Sequence, residues 1–81
     1  MKTSLSLEVR KQIGARFRKI RNDKHMSLRD VEYTSGMGYS WIAKFEKGQM
    51  NFEIDTLINI LNALEIQPKD IFDFEIEFET D

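Results

Sequence analysis

A chain of 81 residues, 41% of them hydrophobic, has room for one small core and suits a folded domain rather than a disordered one. It contains no cysteine and one histidine, which excludes disulfide bonds and leaves no histidine–cysteine cluster for a structural zinc ion. No apolar run approaches the roughly 18 residues of a membrane span, and residues 1–7 lack the apolar region of a secretory signal, so we expect a cytoplasmic protein.

The net charge of −2 conceals a strong asymmetry along the chain. Residues 1–48 hold eleven Lys or Arg and five Asp or Glu, a balance of +6. Residues 49–69 hold one basic and three acidic residues (−2), and residues 70–81 hold six acidic residues and no basic one (−6). A basic body with an acidic tail modestly favours a nucleic-acid partner, although solvated helix faces give the same pattern.

The first predicted helix covers residues 7–24. Its apolar residues recur at intervals of three and four, and most basic residues lie between them, with the apolar stripe formed by Val9, Ile13, Phe17 and Ile20. Ser4 or Ser6 can cap its start.

Two short helices follow, separated by a glycine corner. Ser27 is the expected N-cap of the second helix, with Asp30 completing an imperfect capping box, and a helix of barely two turns follows from the spacing of Leu28, Val31 and Thr34. In the corner at residues 36–38, Gly36 can take the positive φ that a tight turn between helices requires. Residues 39–46 then form a third helix with Ile42 and Phe45 inward, and Gly48 suits the position after its end.

The remaining helices complete the core. Residues 49–53 read as a loop, and residues 54–64 as a fourth helix whose core face carries Ile54, Leu57, Ile58, Leu61 and Leu64. Pro68 begins a short fifth helix that includes Ile71 and Phe72. The period then changes to two, because apolar residues alternate with acidic ones over residues 72–79, which predicts an amphipathic strand.

The arrangement of short helix, glycine corner and short helix is the geometry of a helix-turn-helix, whose second helix enters a major groove about 12 Å wide. Such a helix needs an outward face with hydrogen-bonding groups and no bulky aliphatic side chain. The face opposite Ile42 and Phe45 meets that need, and we predict that it reads bases through Tyr39, Ser40, Ala43 and Lys44.

The stretch VEYTSGMGYSWIAKFEKG, residues 31–48, resembles the helix-turn-helix of phage repressors of the lambda and Cro type and their small bacterial relatives. The resemblance extends over residues 10–72 and implies an all-α, five-helix DNA-binding domain. It implies a partly buried salt bridge between Arg21 and Glu46, and a thymine-methyl contact by Ala43. It also implies phosphate contacts, which we assign to Arg29, Trp41, Lys47, Gln49 and Asn51, although pure packing is an equal reading for Trp41.

This sequence departs from the family pattern at three places. Leu28 replaces a phosphate-binding glutamine, and Arg29 can substitute for it. Glu32 replaces an alanine at the close crossing of the two helices, so its side chain must turn to solvent or meet a cation. The loop at residues 49–53 carries no positive charge, which predicts weak non-specific binding and a shallow salt slope.

The division into domains places the DNA-binding domain at residues 1–72 and an acidic tail at residues 73–81. We expect the tail to form a two-stranded ribbon with a second subunit, burying Phe72, Phe74, Ile76 and Phe78 in a homodimer. Addition of the strand to another protein is the rival reading, and the remaining alternative is a tail that folds back onto its own domain or is partly disordered.

The expected function is therefore that of a homodimeric, sequence-specific repressor that binds double-stranded DNA at an inverted repeat. The alternative is an antitoxin-like module whose tail holds a partner protein and for which DNA binding is secondary. An enzyme is not expected, because His25 has no nucleophile beside it and no phosphate loop or dinucleotide motif is present. No cofactor, metal or membrane partner is expected.

Overall fold

The computed structural model describes residues 4–78, which form five helices and, within those residues, no strand. The helices are α1 (Leu5–Asp23), α2 (Leu28–Ser35), α3 (Tyr39–Glu46), α4 (Ile54–Ala63) and α5 (Pro68–Ile71). Helix α1 packs against α3 and α5, and α2 packs against α3 and α4. The predicted all-α, five-helix architecture is confirmed. No helix in the described part combines the length and apolar character needed to cross a membrane.

Serine side chains begin the first two helices. Ser4 caps α1 by accepting a hydrogen bond from the Leu7 N–H at 3.1 Å. Ser27 accepts from the Asp30 N–H at 3.0 Å, and the Asp30 carboxylate accepts from the Ser27 N–H at 2.7 Å, so the capping box is complete. The Ser27 backbone and hydroxyl lower the pKa of Asp30 below its ordinary value of 3.8, because they stabilise the carboxylate.

The core joins all five helices around two aromatic rings. Phe17 of α1 and Phe45 of α3 are fully or almost fully buried and meet edge to face, with ring centroids 5.3 Å apart. Around them lie the other buried apolar side chains: Ile13, Val31, Ile42, Leu57, Ile60, Leu61, Leu64, Ile66 and Ile71.

The orientation of α4 differs from the prediction. Ile54 and Ile58, which the predicted core face includes, are 66% and 48% exposed, whereas Ile60, which it does not include, is fully buried. The spacing of apolar residues at intervals of three and four allows more than one face of α4 to pack against the core, because α4 is apolar on more than one side. The packing of α2 against α4 therefore decides which residues lie inside. Ile54 and Ile58 remain on the surface as an apolar pair one turn apart.

Helices α1 and α3 approach each other closely at Gly14. A Cβ added there would lie 2.6 Å from the carbonyl oxygen of Glu46 and would also collide with that of Phe45. Gly14 is therefore required for packing, since any side chain would push α3 away.

The strand predicted for residues 72–79 is not formed within the described residues, and Glu79 lies outside them. A strand needs a neighbouring strand for its hydrogen bonds, and residues 4–78 of one chain offer none. Instead the segment starts with a turn, in which the Phe74 N–H donates to the Phe72 carbonyl at 2.8 Å. Arg16 of α1 donates to the Asp70 carbonyl at 2.8 Å and pairs with Asp73 at 3.3 Å. The tail thus returns along α1, as in the fold-back alternative.

Candidate nucleic-acid interface

A tight corner connects α2 to α3. Gly36 has φ +74° and donates its N–H to the Glu32 carbonyl at 2.9 Å, closing α2 in the left-handed conformation that glycine adopts without strain. The Met37 N–H donates to the Ser35 hydroxyl at 3.1 Å. Gly38 then precedes α3 in an extended conformation. The corner sets α3 across α2 as in a helix-turn-helix.

Helix α3 has one buried and one open face. Ile42 and Phe45 are buried, which fixes the helix against the core. On the opposite face Tyr39 is 41% exposed, and the four residues predicted to read bases form a continuous surface of exposed or half-buried side chains: Tyr39, Ser40, Ala43 and Lys44. This surface offers hydroxyl groups, one methyl group and one ammonium group to a ligand.

Glu32 organises the N-terminus of α3. Its carboxylate accepts a hydrogen bond from the Tyr39 N–H at 3.0 Å and from the Arg29 guanidinium at 3.1 Å. The Arg29 guanidinium in turn lies 4.1 Å from the centre of the Tyr39 ring. The hydrogen bond from the Tyr39 N–H is the largest cause that lowers the pKa of Glu32 below its ordinary value of 4.5, and the hydrogen bond from Arg29 is the second. Glu32 therefore meets a cation, Arg29, and also caps α3. No local sequence signal predicts this capping, since Glu32 and Tyr39 are seven positions apart.

The residues predicted to contact phosphates lie around this face. Arg29 is exposed on α2, Lys47 follows the end of α3, and Gln49 and Asn51 are exposed in the next loop. Trp41 is half-buried and stacks on Phe45, with centroids 5.3 Å apart and 11° between the ring planes. It borders a surface cleft whose other lining residues are Asn51, Phe52, Glu53 and Thr56. Trp41 is thus packed against the core and borders the start of α4.

Lys11 is a further cation beside this loop. A Cβ placed at Gly48, whose φ is +75°, would lie 2.6 Å from Lys11 Cγ and 2.8 Å from Lys11 Cα, so the loop rests directly on α1 there. The Lys11 side chain is exposed. The loop at residues 49–53 lacks a positive charge of its own, and α1 brings one next to it. Sequence reasoning could not place Lys11 beside this loop, because the two are far apart along the chain.

Arg21 and Glu46 form a bidentate ion pair between α1 and α3. Arg21 Nε and Nη2 donate to the two carboxylate oxygens of Glu46, at 2.6 and 2.9 Å, and Nη1 donates to the Met26 carbonyl at 2.9 Å. The side chains are 10% and 5% exposed. The hydrogen bond to Glu46 raises the pKa of Arg21 above its usual value. The pair fixes the end of α3 to α1 and to the turn before α2.

The four residues predicted for a dimer interface have different surroundings. Phe74 packs against the core of its own chain, beside Phe72, whose ring centroid is 6.2 Å away. Phe72, Ile76 and Phe78 are 44%, 37% and 72% exposed. Phe72 also lines an apolar groove with Val9, Ile13, Phe52, Ile54 and Leu57.

A short helix with an open polar and basic face, held across a second short helix by a glycine corner, defines a DNA-binding domain of the helix-turn-helix class. No group of three His, Cys, Asp or Glu side chains in residues 4–78 is placed to hold a metal ion.

Comparison with known proteins gives the family. The model of the Cro/C1-type HTH DNA-binding domain matches residues 16–77, and the chain belongs to this family. It is similar to the control protein C.BamHI of Bacillus amyloliquefaciens, with 33% identity over 67 residues, which are 82% of this chain and 83% of that protein. The chain is a DNA-binding regulator of the helix-turn-helix class.

Solved structures share the fold. The restriction-modification controller protein C.AhdI from Aeromonas hydrophila superimposes with a TM-score of 0.71 at 29% identity, over 76% of this chain and 94% of that one. The controller protein C.Esp1396I, solved as a tetramer in complex with its natural 35-base-pair operator, gives a TM-score of 0.72 at 25% identity, over 89% and 90% of the two chains.

Proposed function

We propose that the chain is a homodimeric transcriptional repressor that places α3 in the major groove and reads an inverted repeat. The observation that carries this proposal is the open face of α3. Ile42 and Phe45 are buried on one side of the helix, and the opposite side carries Tyr39, Ser40, Ala43 and Lys44. A hydroxyl or ammonium group can hydrogen-bond a base edge, and the Ala43 methyl suits a thymine methyl. The complex of C.Esp1396I, a protein of the same fold, with its operator supports a DNA-binding role.

Phosphate contacts would position this helix on the duplex. Trp41, Lys47, Gln49 and Asn51 are the proposed set, with Lys11 added because it lies against the loop at Gly48. Arg29, the fifth residue of the predicted set, borders the open face of α3 through its contact with the Tyr39 ring. In this proposal residues 1–72 carry the DNA-binding function and residues 73–81 serve the contact between subunits. A regulator of this kind acts where the DNA lies, which in bacteria, the source of its relatives, is the cytoplasm.

A dimer fits both the recognition task and the surface of the chain. One module reads few bases, whereas two modules one helical turn apart read a palindrome. The exposed Ile54 and Phe72 line one apolar groove, and Ile58 lies one turn along α4. Arg10 lines the same groove, and its buried Nε has no hydrogen-bond partner among residues 4–78. An acidic tail residue of a second subunit, such as Glu75 or Glu77, would supply that partner.

The test is selection of bound duplexes from a random DNA pool at moderate salt, with the purified chain. We expect enrichment of an inverted repeat whose half-sites are about one helical turn apart. The double variant Ser40→Ala/Lys44→Ala should lose this preference, because it removes two of the groups proposed to contact bases. Lys24→Ala, an exposed lysine after α1, is the control for loss of one charge. An unaltered motif from the double variant would rule out α3 as the reading helix.

The acidic and apolar tail also suits the antitoxin-like alternative, since Phe78 is 72% exposed. Under that alternative a folded, purified chain enriches no duplex and stays monomeric until a partner protein is added. The same selection therefore distinguishes the two functions.

A further inference from the structure

Arg29, Glu32 and Tyr39 form a cluster at the point where α2 meets the N-terminus of α3. Glu32 holds the Arg29 guanidinium at 3.1 Å and the Tyr39 N–H at 3.0 Å, and the guanidinium lies over the Tyr39 ring at 4.1 Å. Two contacts therefore restrain the Arg29 head group, although its side chain is 71% exposed. An exposed arginine without such contacts samples many rotamers and has to be ordered when it binds.

The restrained guanidinium keeps one edge for a ligand. Glu32 accepts a hydrogen bond from Arg29 Nη1, while Arg29 Nε and Nη2 have no acceptor among residues 4–78. The Nε–Nη2 edge of a guanidinium is planar and presents two parallel N–H groups, and Arg21 uses this edge toward Glu46 in the same chain. That edge matches a planar pair of acceptors, either two phosphate oxygens or the O6 and N7 atoms of guanine.

We propose that Arg29 reads a guanine in the operator half-site, beside the base contacted by Tyr39, and that Glu32 is the positioning residue that sets Arg29 and Tyr39 as one reading unit. The inference rests on the proposed placement of α3 in the major groove. Arg29 would then contribute to specificity and not only to the affinity for the phosphate backbone.

Electrostatics favours guanine over phosphate as the acceptor. Arg29 is already paired with the carboxylate of Glu32, so a phosphate on its other edge would bring a second anion close to the first. The acceptors of guanine are neutral and carry no such repulsion. Stacking on Tyr39, the first residue of α3, also keeps the guanidinium beside the helix that enters the groove. A neighbouring carboxylate further weakens attraction to any phosphate, which lowers binding to wrong sequences.

The experiment repeats the random-pool selection with four variants of the full chain, after circular dichroism has shown that each one folds. Arg29→Ala removes the proposed reader, and Arg29→Lys keeps its charge without the planar edge. Glu32→Gln keeps an acceptor for the Tyr39 N–H and loses the ion pair with Arg29, which separates positioning from helix capping. Arg18→Ala, at an exposed position on α1, is the matched control for the loss of one arginine.

We expect the wild-type motif to contain one guanine per half-site whose preference falls by about tenfold in both Arg29 variants, while the other positions keep theirs. Glu32→Gln should weaken the same guanine preference and, because a negative charge is lost, raise the affinity for unrelated duplexes. Arg18→Ala should leave the motif unchanged.

Three outcomes would overturn the inference. If Arg29→Ala weakens all duplexes equally and lowers the salt slope by about one, Arg29 contacts phosphate. If Glu32→Gln leaves the guanine preference intact, Glu32 has only a capping role. If the wild-type chain enriches no motif at all, the proposed function fails and this inference fails with it, which distinguishes that case from the first two.

Discussion

Among residues 4–78, Arg21 and Glu46 are the charged residues that are buried, and each depends on the other. The pair is desolvated on both sides, so removal of one partner leaves a buried charge with nothing to balance it. We expect Glu46→Ala to lower the free energy of unfolding by about 3 kcal/mol, a large part of the stability of a small domain. Urea unfolding followed by circular dichroism measures the loss.

The double variant Arg21→Met/Glu46→Leu is the informative control for this pair. It removes both charges together with their two mutual hydrogen bonds, so no charge is left unpaired, and the Met26 carbonyl is the one remaining acceptor that loses its donor. Its loss should be about 1 kcal/mol, well below that of Glu46→Ala. Equal losses in the two proteins would mean that the pair stabilises the fold directly and not only through mutual neutralisation.

The carboxylates of Asp30 and Glu32 make the stability of the fold depend on acid pH. Hydrogen bonds in the folded chain lower the pKa of Asp30 and of Glu32, from ordinary values of 3.8 and 4.5. A lowered pKa means that the unfolded chain takes up protons first as the pH falls. The stabilisation is therefore complete near neutral pH and is lost progressively below about pH 5. Asp30→Asn should show a smaller fall in melting temperature between about pH 6 and pH 3 than the wild type, with Asp55→Asn as the control for loss of one carboxylate.

At the scale of elements, the crossing of α1 and α3 depends on Gly14. Alanine there would favour the isolated helix by about 1 kcal/mol, but its Cβ would overlap the carbonyls of Phe45 and Glu46. The clash involves backbone and cannot be relieved by a side-chain rotation, so we expect Gly14→Ala to destabilise the fold by about 1–3 kcal/mol net. Gly38→Ala is the control, because Gly38 has φ −60° and open space around its Cα, and it should change stability by less than about 0.5 kcal/mol. Thermal melts compare the two.

The elements that the sequence predicts well are those with local signals. The bounds of α3, the positive φ of Gly36 and Gly48 and the capping box at Ser27 follow from residues within a few positions of each other. The capping of α3 by Glu32 could not be predicted in this way, because it depends on how two helices cross. The same holds for the burial of Ile60 in place of Ile58. The alternation at residues 72–79 predicts a strand from its period alone, yet a strand forms only where a second strand supplies the hydrogen bonds.

For the whole molecule, the decisive property is whether the exposed apolar residues of the tail hold two chains together. Ile76→Ser/Phe78→Ser removes apolar surface and keeps every charge, whereas Glu75→Gln/Glu77→Gln removes charge and keeps the apolar surface. If the tail buries its apolar side in a dimer, light scattering should find the serine variant monomeric at concentrations where the wild type is dimeric. Its affinity for the operator should fall by at least tenfold, because one module makes half of the contacts.

The glutamine variant should bind unrelated DNA more tightly than the wild type, since two acidic charges of the tail are gone. A serine variant that remains dimeric would shift the interface to Ile54 and Ile58 on α4, where substitution by serine is then the next measurement.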